Sequence, residues 1–94
     1  MPFARVVTFD GVSKDRMDQM GREMQEGAPP EGFPPAEIIV LHDADAEKSL
    51  VVLILENEDD YQKAHGILDA MPAADTPGQR SSVSKYNVAV RMKS

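Results

Sequence analysis

Two dense apolar runs sit at the middle of the chain, Ile38–Leu41 and Leu50–Leu55, with the polar segment His42 to Ser49 between them. Aliphatic, β-branched residues on either side of Asp-Ala-Asp-Ala-Glu-Lys predict a β-hairpin of two well-buried strands. Upstream, Phe3 to Asp10 reads as a first strand, with Ala4, Val6 and Thr8 on one face and Phe3, Arg5, Val7 and Phe9 on the other. Asp10-Gly11 marks its end. The period then changes from two to between three and four. Ser13 is an N-cap with Asp15 in the first turn, and Val12 and Met17 take the positions of a hydrophobic staple. The helix they start runs to about Glu26, with Met17, Met20 and Met24 as its apolar face and Gly21 permitting close approach. Gly27 ends it.

Residues 28 to 35, APPEGFPP, make a stiff proline-rich loop in which Phe33 plugs the end of the core. After the hairpin, Asn57 caps a second helix whose first turn holds Glu58, Asp59 and Asp60. Tyr61, Ala64, Leu68 and Met71 form its buried stripe, and Pro72 stops it. Residues 73 to 80 read as a mobile loop. Ser82 to Met92 then predicts a last strand, with Tyr86, Val88, Val90 and Met92 on one face and Lys85, Asn87, Ala89 and Arg91 on the other.

Strand, helix, strand, strand, helix, strand is the order of a ferredoxin-like α+β fold, a four-stranded antiparallel sheet with both helices on one face. The hairpin adds a second expectation. Its strands are apolar on both faces, whereas a sheet covered on one side only should alternate. A second copy of the chain is the simplest cover, and sheet-to-sheet pairing gives a homodimer, a dimeric α+β barrel.

Ninety-four residues suit one domain spanning 1–94, and at this size roughly 60% or a little more of the unfolded surface is buried, so a dimer interface would add stability. The net charge of −6 disfavours binding to nucleic acid or to an anionic membrane surface. The chain has no cysteine, which excludes disulfides, thiolate metal sites and cysteine nucleophiles. The start is too short and polar for a signal peptide, and no apolar run approaches the roughly 20 residues of a membrane span. A cytoplasmic location is the expectation.

Three stretches carry a resemblance: ARVVTFDG at the start, Glu31-Gly32-Phe33 before the second strand, and LENEDDYQKA from Leu55 to Ala64. Together they resemble the antibiotic-biosynthesis-monooxygenase-like proteins of the dimeric α+β barrel superfamily. In that family the last block commonly reads Trp-Glu-Ser-Glu-Glu; here Leu55 stands in place of the Trp, with Glu56, Asn57, Glu58 and Asp59 after it. The resemblance implies a small monooxygenase-like protein, in some relatives a cofactor-independent oxygenase of polyketide quinols. The haem-degrading branch uses an Asn on the first strand with a Trp and a His in the second helical region. This chain has Ala4 and Ala64 near the first two of those positions and no tryptophan.

The residues leave alternatives open. His65, on the second helix and flanking its stripe, is the first candidate for a catalytic base, or else a half-exposed surface histidine. Tyr61, Asn87 and Arg5 are candidates for binding a substrate; Arg5, Asn87 and Arg91 either share a face lining a polar cavity or reach out to water or to a partner's acids. His42 with Asp43, Asp45 and Glu47 lacks the glycine and terminal Glu of a calcium loop and reads as a solvated turn. The methionine stripe is either a plain core face or the wall of a deformable pocket. No glycine-rich phosphate loop, nucleophile elbow or zinc spacing is present, so neither a cofactor nor a metal is expected. Two functions follow: oxidation of a hydrophobic, aromatic small molecule, or a non-catalytic ligand-binding or interaction module on the same barrel. An isomerase or haem-handling relative is a third.

Overall fold

A computed structural model describes residues 2–27, 31–70 and 79–92. Its elements are β1 (Phe3–Asp10), α1 (Lys14–Glu26), β2 (Ala36–Asp43), β3 (Lys48–Leu55), α2 (Glu58–Asp69) and β4 (Gln79–Asn87). The four strands form one sheet in the order β2-β3-β1-β4, and every neighbouring pair is antiparallel. This is the ferredoxin-like α+β fold. Met71, Pro72 and residues 73–78, assigned from sequence to a helix end and a loop, lie outside the described residues, as do residues 28–30 of the proline-rich loop.

Local chemistry accounts for the helix starts. Ser13 accepts a hydrogen bond from the Arg16 amide at 3.1 Å, and Asn57 accepts one from the Asp60 amide at 2.8 Å. Each cap satisfies an amide that has no partner in the first turn. The proposed staple is present as a contact, with Met17 packed against the fully buried Val12. At the hairpin tip, Asp43 Oδ1 accepts from the Ala46 amide at 3.2 Å, a side-chain-to-backbone bond that holds the turn.

Register assigns the faces. Phe3, Arg5, Val7 and Phe9 of β1 pair with Leu55, Leu53, Val51 and Ser49 of β3, so these side chains share one face. Both helices pack there. Tyr61 and Ala64 of α2 join Leu53 and Leu55, with Phe3, Phe33 and Leu68 around them, and Phe33 does sit at the end of the core. Val12 and Met17 join Val7, Phe9, Val51 and Val83. The opposite face carries Val6, Leu50, Val52, Ile39, Leu41 and Tyr86, and among the described residues no helix covers it. Ile39 is 40% exposed, Leu41 51% and Tyr86 57%.

The last strand differs from expectation at both ends. It begins at Gln79, inside the stretch read as loop, because Gln79 and Arg80 pair with Asp10 and Phe9 across an irregularity at Thr8/Phe9. It stops at Asn87 and not at Met92. Asn87 is opposite Phe3, where β1 begins, and beyond the Val88 amide, bonded to the Pro2 carbonyl at 3.0 Å, no strand remains to pair with. Arg91 instead bonds Glu56 and Glu37, so the tail runs from the β4 edge across the end of the sheet to β2.

Leu55 is fully buried in the cluster that β3 forms with α2. Leu55→Ala is expected to lower unfolding stability by about 2–5 kcal/mol, read from urea denaturation. A change under about 1 kcal/mol would mean that the cluster around it collapses to fill the space.

Candidate functional site

Arg5 breaks the apolar face of the central strand. Its neighbours on that face are Phe3 and Val7, its cross-strand partners are Leu53 and Lys85, and it is only 4% exposed. Its hydrogen bond among the described residues runs from Nε–H to Nδ1 of His65 on α2, at 3.2 Å. No carboxylate among the described residues forms an ion pair with it; Asp69, the nearby acid, is bonded to Arg80 at 3.0 Å. Burial pushes the Arg5 guanidinium below the ordinary range for arginine, since the charged form loses water it does not regain. Arg80 pushes the same way, while Tyr61 and Asp69 oppose it.

His65 follows from this geometry. Because Nδ1 accepts from Arg5, the neutral ring carries its proton on Nε2. The ring lies nearly parallel to Tyr61, at 13° with centroids 6.0 Å apart. Tyr61 meets Phe3 edge-on at 6.3 Å, and Lys85 lies over both rings at 4.7 and 4.8 Å. Lys85 is itself held by Glu58, at 2.6 and 2.7 Å to the two carboxylate oxygens. Those bonds, with one from Gln62, hold the Glu58 carboxyl below its usual range. The wedge between α2 and the sheet is therefore a stack of fixed side chains around one buried cation.

Three of the four residues singled out from sequence meet in this wedge: Arg5, His65 and Tyr61. Asn87 does not join them. It shares their face but stands opposite Phe3, exposed at the end of β4. Arg91 is likewise not part of a shared cavity face with Arg5 and Asn87, because it is drawn to Glu37 and Glu56 of its own chain. Among the described residues no group of three or more His, Asp or Glu is placed to hold a metal ion.

A second feature lies at the other end of the same face. Met20 is the single buried side chain of α1 and Met24 is 43% exposed, and α1 and β2 do not close on each other here. An open groove of about 420 Å³ separates them, walled by Met17, Met20, Gly21 and Met24 of α1 and by Val40 and His42 of β2. The exposed Asp18, Arg22 and Gln25 complete its lining. His42 is not simply part of a solvated turn. Its Nε2 lies 2.9 Å from the Val12 carbonyl oxygen, an atom that can only accept, so Nε2 carries the proton and donates it. The alternation Ile38, Val40, His42 signals this placement, since it continues the helix-side face of β2 to its last turn of pleat.

Compared with protein-family models, with curated proteins and with solved structures, the chain matches none of them. No helix among the described residues is long and apolar enough to cross a membrane.

A buried charge without a counter-charge destabilises the state that buries it. Arg5→Met, which keeps the length and removes the charge, is expected to raise stability by about 1 kcal/mol or more, with a matching rise in Tm. A fall in Tm would show that the guanidinium is a structural tie.

Proposed function

We propose that this chain is a homodimeric, monooxygenase-like protein that oxidises a hydrophobic, aromatic or polyketide-like small molecule at the wedge between α2 and the sheet. The observation that carries the reading is the buried guanidinium of Arg5, without an ion pair among the described residues and bonded to His65. A phenol or enol beside such a cation ionises more readily. Its anion is electron-rich enough to reduce dioxygen itself, with one oxygen atom entering the substrate and the other leaving as water. The substrate supplies the electrons, so this chemistry needs no resident cofactor.

In this reading Arg5 stabilises the substrate oxyanion, and His65 donates to the same oxygen through Nε2–H. The role of general base passes away from His65, because the lone pair a neutral imidazole would use is engaged by Arg5. Tyr61 supplies an aromatic wall. The resemblance of the ARVVTFDG and LENEDDYQKA stretches to monooxygenase-like proteins supports the reaction class; the geometry supports the anion.

The same reading takes the open sheet face as the dimer interface. Ile39, Leu41 and Tyr86 stand exposed there beside half-buried Val6, Leu50 and Val52, an apolar surface of the kind that supports an interface.

One observation favours a second reading, a non-catalytic binding module: among the described residues the wedge holds no unengaged base. An oxygen electrode separates the two. With 1,4-naphthohydroquinone, the wild type is expected to consume oxygen above the buffer rate, and His65→Ala to lose at least ten-fold of that increment while remaining folded. A rise in Tm with the quinol and no oxygen uptake would instead establish the binding module.

The interface is tested separately by sedimentation equilibrium. Wild type is expected at twice the chain mass of 10.3 kDa, and Leu41→Glu at the monomer mass. A wild-type monomer would remove the sheet face from the account.

A further inference from the structure

The groove between α1 and β2 is independent of the Arg5 wedge. His42 shares a cross-strand row with Ser49 and Phe9, four residues along β1 from Arg5 and two strands away from it. Nothing in the reading above uses it, and it combines three properties.

The first is size: about 420 Å³ lies within the range of roughly 300–1,000 Å³ over which small-molecule pockets occur. The second is a deformable apolar wall, since Met17, Met20 and Met24 have unbranched, polarisable side chains that adapt to a ring placed against them. A Cβ at Gly21 would meet nothing within 4 Å, so the helix backbone is open to the groove at this point. The third is an acceptor on the β2 wall, apart from the exposed Asp18 and Gln25 on the helix. With Nε2–H tied to the Val12 carbonyl, His42 keeps its lone pair on Nδ1, and no hydrogen bond among the described residues uses that atom.

We propose that the groove between α1 and β2 binds a small, largely apolar aromatic molecule carrying one acidic O–H, a phenol in its simplest form, whose hydroxyl donates to Nδ1 of His42. The donor is specified by the tautomer. An Nδ1 lone pair accepts and cannot donate, so a ketone or ether on the same ring framework gains nothing from His42 and meets only the exposed Arg22 and Gln25 of the lining. A carboxylate would set its oxygens against the lone pair and could pair only with Arg22, which is exposed. Discrimination arises because an analogue lacking the hydroxyl leaves the imidazole nitrogen desolvated and unpaired.

Protein labelled with ¹³C at the methionine methyl groups reports directly on the groove, because three of the six methionines line it. Titration with 1-naphthol is expected to shift the methyl resonances of Met17, Met20 and Met24 saturably, and 1-methoxynaphthalene to bind at least ten-fold more weakly. His42→Phe is expected to bind both probes equally. Gly21→Leu fills the groove and replaces a helix-interior glycine, so binding should be lost while Tm stays at or above that of the wild type. Equal affinity for naphthol and its methyl ether in the wild type would overturn the proposal. So would shifts that never saturate, or undiminished binding in folded Gly21→Leu. Arg5→Met leaves the groove untouched, so naphthol binding that survives in that variant separates this site from the wedge.

Discussion

The constraint that shapes the core is a buried arginine in the central strand. β1 pairs on both sides, its helix-facing side chains are the floor of the core, and one of the four is Arg5. Everything around that residue can be understood as a response to its charge. His65 turns an imidazole nitrogen toward Nε, Tyr61 and Phe3 close over the side chain's surroundings, and Asp69 is occupied by Arg80. A core optimised for stability alone would place a leucine or methionine here. A cation held in that position, at a cost to stability, is the sort of local inconsistency that binding or chemistry explains.

The two faces of the sheet pose different physical problems. On the helix side, α2 seals its half of the core through Leu53, Leu55 and Ala64, whereas α1 and β2 leave a groove between them. On the other side, the chain tail crosses only the end of the sheet, through Arg91 to Glu56 and Glu37, and the aliphatic centre stays open. Of the two hairpin strands expected to be well buried, only β3 is: its helix-side Leu53 and Leu55 lie in the core, whereas the edge strand β2 is exposed on both faces, Ile38 by 47% on the helix side and Leu41 by 51% on the other.

Much of the fold was legible because its signals are local. Alternation in β1, the spacing of Tyr61, Ala64 and Leu68, and the caps Ser13 and Asn57 each act within a few residues and each proved correct. The end of β4 was not legible. Val88, Val90 and Met92 alternate as well as any strand, but a strand needs a partner, and β1 begins at Phe3. The site was legible in part. A charged residue on the alternating face Phe3, Arg5, Val7, Phe9 is visible in the sequence; that it meets a histidine sixty positions later is not. His42 was read as turn because of the acids after it, although its place two residues beyond Val40 puts it on the inner face. Neither histidine's tautomer can be read from sequence, because each is set by a group remote along the chain.

The most direct measurement is the protonation pattern of the His65 ring, from long-range ¹H–¹⁵N correlation at neutral pH. The expected result is the Nε2–H tautomer, with Nδ1 showing the shift of an accepting nitrogen, and a change in that Nδ1 signal in Arg5→Met. An Nδ1–H tautomer in the wild type would contradict the account, since Arg5 would then have no acceptor in the wedge and His65 no fixed donor to offer a substrate.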